Sequence, residues 1–180
     1  PILIMNAPRA RAASIAACGQ PTATLNDAQA QTGATQADEI SAADRTAILA
    51  ALQLPAANAN GQVMNACDER VTPQFLPADM GPGVGRAVLF AIGGGPNMAS
   101  CYGDGPNLHL MRNANGGWTE IWSLQFGALI ILPTMHNNAN DIAAGGPGFS
   151  FPVAHWNGTA YVSANRTVGD AQLNDARFLP

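Results

Sequence analysis

Short apolar runs separated by glycine, proline and asparagine fill the second half of the chain, from residue 87 to residue 163. The run AVLFAI at 87–92 has no polar position, which predicts a central strand covered on both faces. The segment 151–165 predicts a hairpin, because FPVAHW and TAYVSA flank Asn157-Gly158, a dipeptide that tolerates the positive φ angles of a type I′ turn. Further strands are predicted at 62–67, 71–76, 108–112, 118–124 and 128–132, with a turn at Asn115-Gly116-Gly117. These segments predict a mainly antiparallel β-meander of about six strands.

One helix is predicted ahead of the strands. Ser41 precedes Asp44 by three residues, so a hydroxyl can cap the first free amides while a carboxylate lies at the positive end of the helix dipole. Pro55 ends the helical pattern. An apolar stripe on one helix face is formed by Ile48, Leu49 and Leu52. The predicted fold class is therefore α+β, with this N-terminal helix packed on the β-meander.

The residues before this helix differ in composition from those after it. Residues 20–39 are small and polar with little to bury, which predicts an irregular or extended arm. The apolar PILIM segment at the start, followed by small residues at Ala10 and Ala12, is typical of an export signal,. We therefore predict a signal-like, extended arm over residues 1–40 and a single domain over residues 41–180.

The three cysteines also indicate export. The stretch IAACG, which contains Cys18, resembles a bacterial lipobox, although Arg9 and Arg11 interrupt the apolar segment that normally precedes one,. Cys67 and Cys101 lie at the ends of predicted strands, and we predict a disulfide between them, as expected in an oxidising compartment. Cys18 is then a lipid anchor, an intermolecular disulfide or a buried thiol. The alternative is that all three cysteines are reduced and buried.

Composition narrows the classes of function. Charged residues make up 11% of the chain, against about 25% in ordinary soluble domains, so the surface is mostly neutral. The net charge is −4 and the eight basic residues are all scattered arginines, which provides no basic stripe for nucleic acid. A chain without lysine cannot supply a phosphate-binding lysine, a Schiff base or a Ser-Lys dyad. We predict no cofactor and no enzymatic activity.

The stretch HNNANDIAAGG at residues 136–146 resembles the loop of FG-GAP and VCBS-type β-propeller repeats. In those repeats an oxygen-rich turn binds calcium and leads into an aspartate, an apolar triplet and a glycine. The resemblance implies Asn138, Asn140 and Asp141 as candidate calcium ligands, although only one of them is a carboxylate. The chain is too short for a whole propeller and shows no repeat of a blade's length. The alternative, in which no metal binds, is an asparagine-rich turn that leads into a strand.

Histidines form a second candidate site. His109, His136 and His155 are the only side chains whose ordinary pKa lies near neutrality,. They show no short metal-binding spacing, so they would have to converge through the fold. A hydrolase or metalloenzyme would require at least one of them to meet Asp104 or Asp141 in one pocket.

The tryptophans form a third candidate site. Trp118, Trp122 and Trp156 all lie in predicted strands, and strand alternation places Trp118 and Trp122 on one face,. Buried rings would serve the core. Exposed rings would form a contact platform, because tryptophan anchors protein interfaces and stacks on sugars.

Taken in order, the segments CGQ, SAADRTAILAAL, GQVMNAC, CYGDG, LHLMR, GGWTEIW, GGPGFSFPV and WNGTAY resemble small exported bacterial proteins of uncharacterised function, mainly over residues 41–168. The resemblance implies an exported α+β domain. We expect a periplasmic or extracellular, non-enzymatic protein-interaction module that serves as an accessory subunit of a larger membrane or cell-surface assembly. It would associate with a membrane through its partners or through lipid on Cys18. The alternative is a periplasmic glycan-binding module or an inhibitor of an exported enzyme.

Overall fold

The computed structural model describes residues 40–93, 101–102, 105–146 and 148–179. These residues form one α-helix, α1 (Ala42–Ala51), and a series of antiparallel strands. The strands are β1 (Val63–Met64), β2 (Arg70–Val71), β3 (Gln74–Asp79), β4 (Arg86–Ile92), β5 (Asn107–Ala114), β6 (Gly117–Gln125), β7 (Ala128–His136), β8 (Ala139–Gly145), β9 (Phe151–Trp156), β10 (Tyr161–Val168) and β11 (Arg177–Leu179).

The predicted α+β meander was wrong. Strands account for 52% of the described residues and helix for 11%. The strands form three sheets, with the orders β1-β2, β3-β4-β5-β6 and β10-β9-β8-β7-β11. The physical reason lies in the apolar run at 128–132, because such a run must be covered on both faces and therefore needs a second layer. One helix on one sheet cannot provide that layer for two separate apolar strands.

The four-stranded and five-stranded sheets pack face to face. Leu89 and Leu110 from the first sheet and Leu129 and Ile142 from the second belong to one buried cluster. The neighbouring residues Val88, Phe90 and Ile92 point the other way and pack beneath α1 with Ile48 and Leu49. The sequence prediction that 87–92 is a central strand covered on both faces is confirmed.

The outer face of the five-stranded sheet is divided into an apolar half and a polar half. Ile130, Leu132 and Val153 are buried there under the C-terminal residues Leu173 and Ala176. Asp141 on β8 and His155 on β9 lie two residues from Ala143 and Val153 of this apolar half, and residues two apart in a strand share a face. These side chains belong to the polar half.

The helix begins as predicted. Ser41 is its N-cap, and the Ser41 hydroxyl accepts a hydrogen bond from the Asp44 amide at 3.1 Å. The carboxylate of Asp44 in turn accepts two hydrogen bonds from Arg86 on β4, at 3.1 and 2.8 Å, and one from Trp118 Nε1 on β6 at 3.2 Å. Asp44 therefore ties the first turn of the helix to two strands of the sheet beneath it.

We expect the contacts of Asp44 to make the free energy of unfolding dependent on pH. The contacts of Asp44, first among them the Arg86 hydrogen bonds, hold the pKa of its carboxyl well below the usual range. A lowered folded-state pKa stabilises the fold at neutral pH, and this contribution is lost as the pH falls below about 3.9, the ordinary value for aspartate. Asp44→Asn should therefore cost up to about 1 kcal/mol at neutral pH, the scale of exposed ion pairs, and should cost less in acid.

Urea unfolding at neutral and acidic pH measures this difference. Asp175→Asn, at an exposed position, is the matched control and should leave the pH dependence of the unfolding midpoint unchanged. If Asp44→Asn and the unmodified protein lose stability in parallel on acidification, the Asp44 contacts do not contribute in this way.

The hairpin turns are partly those that the sequence predicts. Asn115 and Gly116 both have positive φ, 54° and 80°, as a type I′ turn requires,. The 151–165 hairpin is confirmed, since Trp156 pairs with Tyr161, but its two-residue turn was wrong. The connection has four residues, and the Asn157 side-chain oxygen accepts hydrogen bonds from the amides of residues 159 and 160. Asparagine here organises the loop through its side chain.

A β-bulge in β6 corrects the prediction for the tryptophans. Leu110 pairs with Trp122 while Met111 pairs with Glu120, so Ile121 is an extra residue on its strand. One extra residue moves every following side chain to the other face. Trp118 therefore packs beneath α1, whereas Trp122 packs against the core between the two sheets. They do not share a face.

Candidate functional site

A fully buried carboxylate organises the polar half of the outer sheet face. Asp141 on β8 has no exposed area. One of its oxygens accepts a hydrogen bond from His136 Nδ1 at 2.6 Å. The other accepts from the Thr134 hydroxyl at 2.7 Å and from an Arg166 guanidinium nitrogen at 2.9 Å. With His155 beside His136, we call these five residues the histidine site.

The local sequence explains why two of these side chains meet. Asn137 and Asn138 have φ values of 50° and 59°, and this tight turn joins β7 to β8 so that His136 pairs with Ala139. Residues 136 and 141 are therefore close in space as well as in sequence. Arg166 comes from β10, two strands away from β8 in the sheet.

The charges within the histidine site are paired. Burial of an isolated carboxylate would cost several kcal/mol, so a buried aspartate needs a cation and further hydrogen bonds. Arg166 provides the cation, while Thr134 and His136 donate two further hydrogen bonds to Asp141. The negative charge of Asp141 also acts on the inter-sheet side chain of Tyr161, whose pKa is raised mainly by burial and further by this charge.

His136 and His155 are the accessible part of the histidine site. Their ring centres lie 5.3 Å apart with the planes inclined by 40°, and the His136 side chain is 53% exposed. A carboxylate cannot donate a proton, so the Nδ1 of His136 carries the hydrogen that Asp141 accepts. In the neutral ring the Nε2 lone pair is then available as a base or as a metal ligand.

The third histidine is separate from the other two. His109 lies on β5 in the four-stranded sheet, with its Nδ1 at 2.5 Å from a Glu120 oxygen and its Nε2 at 3.0 Å from the side-chain nitrogen of Asn107. It lines a groove of about 350 Å³ together with Asn65 and Tyr102. The fold therefore does not bring the three histidines together. Asp104, the other predicted acidic partner, lies outside the described residues.

The predicted calcium ligands lie in the turn between β7 and β8 and at the start of β8. The side-chain nitrogen of Asn140 donates to the Leu132 carbonyl at 2.8 Å, and Asn138 is in the turn itself. Both Asp141 oxygens are engaged by the side chains of the histidine site. Within the part of the chain that the structure describes, no three His, Cys, Asp or Glu side chains are arranged to hold a metal ion.

The predicted contact platform is largely buried. Trp156 lies in the core between the two sheets, and Trp118 is buried under α1. Trp122 is only partly buried. The three tryptophan rings therefore do not share one exposed surface. The bulge in β6 separates Trp118 from Trp122, and Trp156 points inward.

The predicted disulfide is confirmed. Cys67 and Cys101 are bonded, with their Cα atoms 5.6 Å apart. This bond is consistent with an oxidising, exported location. Cys18, the candidate lipidation site, lies outside the described residues, and none of the described helices is long and apolar enough to cross a membrane.

Sequence reasoning missed Thr134 and Arg166. Alternation along β7 could have placed Thr134 beside His136, because residues two apart share a face. No sequence signal pairs Arg166 with Asp141, since that contact depends on the order of the strands.

No protein family, curated protein or solved structure matches the chain. The proposals below therefore depend on the geometry of these residues.

Proposed function

We propose that the chain is a non-enzymatic protein-interaction module of the periplasm or cell exterior, an accessory subunit of a larger membrane or cell-surface assembly. The observation that supports this function best is an apolar groove beside β11, with a volume of about 320 Å³. We call it the apolar groove. Its lining residues are Gly127, Ala128, Ile130, Gly145, Gly146, Phe151 and Phe178.

Aromatic side chains near this end of the sheet are exposed to solvent. Phe178 at the rim is 57% exposed, and Phe149, two residues before Phe151 in the sequence, is 83% exposed. Single exposed apolar residues are common, but an exposed aromatic residue next to an apolar depression is typical of a protein contact site. The low charge of the chain reduces the cost of removing water from such a surface.

The edge of the sheet indicates the kind of partner. Among the described residues, β11 pairs only with β7, so it is an edge strand of the five-stranded sheet. An extended segment of another protein can add to such an edge while one of its side chains enters a neighbouring pocket. We therefore assign the apolar groove to a bulky apolar side chain on an extended partner segment.

Gly146, one of the residues that line the groove, supports this occupant. A Cβ atom built on Gly146 would have no neighbour within 4 Å, so this position leaves open space where a partner side chain can approach the backbone. Gly146→Leu would fill that space, and the φ angle of Gly146 lies outside the left-handed range. This substitution therefore tests the groove with little strain on the backbone.

Native purification from source membranes, followed by mass spectrometry of co-eluting proteins, tests the proposal. A stoichiometric partner is expected. Phe178→Ser and Gly146→Leu should each weaken its binding by at least about tenfold, as the loss of an interface anchor does. Val162→Ser is the control, because Val162 is exposed on β10 at the opposite edge of the same sheet.

Two results would contradict the proposal. One is a protein that purifies alone at its own mass of 18.5 kDa. The other is a partner that both groove variants retain as fully as the Val162→Ser control. The glycan-binding alternative gains no support from Trp118 and Trp156, whose rings are buried.

A further inference from the structure

We propose that His136 and His155 bind a divalent transition-metal ion of the zinc or copper class. The location is the polar half of the outer face of the five-stranded sheet. This proposal is independent of the apolar groove, because none of the groove-lining residues belongs to the histidine site.

The spacing of the two imidazole rings fits one shared ion. An imidazole nitrogen coordinates zinc at about 2.0–2.1 Å, so the ion lies about 3.2 Å from each ring centre once about 1.1 Å within the ring is added. At a tetrahedral angle the two ring centres are then about 5.2 Å apart. The centres of His136 and His155 are 5.3 Å apart.

Asp141 prepares His136 for coordination. A metal-bound histidine usually donates its second ring N–H to a carboxylate or carbonyl, which fixes the tautomer and makes the other nitrogen a stronger ligand. His136 has this arrangement, with Nδ1 at 2.6 Å from the Asp141 carboxylate. Arg166 and Thr134 hold the other Asp141 oxygen, so the carboxylate cannot easily rotate.

The ligand set favours particular metals and leaves coordination positions open. Two imidazoles suit zinc, copper or nickel, whereas calcium and magnesium require oxygen ligands. The described residues contain no third His, Cys, Asp or Glu side chain placed to complete the set. Water or a group from a bound molecule would therefore occupy the remaining coordination positions of the metal ion. Either can reach the ion from solvent, because His136 is exposed.

Titration of the full chain with Zn²⁺ in a calorimeter and electron paramagnetic resonance of its Cu²⁺ complex test the site. We expect one ion per chain and a Cu²⁺ spectrum with two coupled nitrogens. His136→Ala and His155→Ala should each weaken binding by at least about tenfold, and the spectrum of either variant should show one nitrogen. Circular dichroism of each variant verifies that it is folded, and His155→Ala still tests the site if His136→Ala is not.

His109→Ala is the matched control, because His109 lies on the other sheet beside Glu120. It should bind Zn²⁺ as the unmodified protein does. The proposal is overturned if the unmodified protein shows no saturable binding. It is also overturned if folded His136→Ala and His155→Ala bind as tightly as the control, or if the control weakens as much as they do.

Discussion

Trp156→Ala is expected to lower the free energy of unfolding by about 3–5 kcal/mol, the range for truncation of a large buried aromatic residue. The Trp156 side chain is 1% exposed in the core between the two large sheets. Its ring centre lies 5.5 Å from that of Tyr161, and the Arg112 guanidinium lies 5.3 Å from its ring. Truncation would leave a cavity that two rigid sheets cannot readily close.

Urea unfolding followed by circular dichroism measures the change. Trp122→Ala is the matched control, since Trp122 is the same residue type but only partly buried. Its loss should cost clearly less. Equal costs for the two variants would mean that residue 156 does not occupy the centre of the inter-sheet core.

The Cys67–Cys101 disulfide is expected to contribute about 4 kcal/mol to the stability of the protein, from the reduced entropy of the unfolded chain. The two cysteines are 34 residues apart. The bond also joins the β1–β2 region to the residues after β4, where the Tyr102 hydroxyl accepts a hydrogen bond from the amide of Ala66 at 3.1 Å. Both effects favour the folded state.

The double variant Cys67→Ser and Cys101→Ser measures this contribution by urea unfolding under non-reducing conditions. The unmodified protein with reductant should lose the same free energy, and reductant should not affect the double variant. Alkylation of the native, unreduced protein provides the direct chemical check. If Cys67 and Cys101 are both alkylated without reductant, the disulfide does not form in solution.

Local features of the fold are those that the sequence predicts best. The start of the helix at Ser41 follows from one hydroxyl and a nearby carboxylate, and the turn at Asn115–Gly116 follows from two residues that tolerate positive φ. Both depend on neighbours within a few residues. The division of the strands into two packed sheets depends on contacts between distant residues, and the pattern of single strands does not determine it.

The same distinction applies to the histidine site. His136 and Asp141 meet across one tight turn, so their contact is accessible to reasoning along the sequence. Arg166 reaches Asp141 across β9, which lies between β8 and β10 in the sheet, so this contact depends on the order of the strands. The prediction for Trp122 failed for a local reason. The single extra residue in β6 places Trp122 on the face opposite to the one that strict alternation predicts.

Each of the two large sheets is built from one continuous stretch of chain. In the described part of the chain, residues 74–125 contain every strand of one sheet and residues 128–179 every strand of the other, and a short connection joins them. Most strand pairs therefore form between sequence neighbours, which favours rapid folding of each half. Separate fragments cut at this connection would each keep complete strand pairing and would expose mainly the apolar face that normally covers the other. We therefore expect the two halves, produced as separate fragments, to associate through these apolar faces.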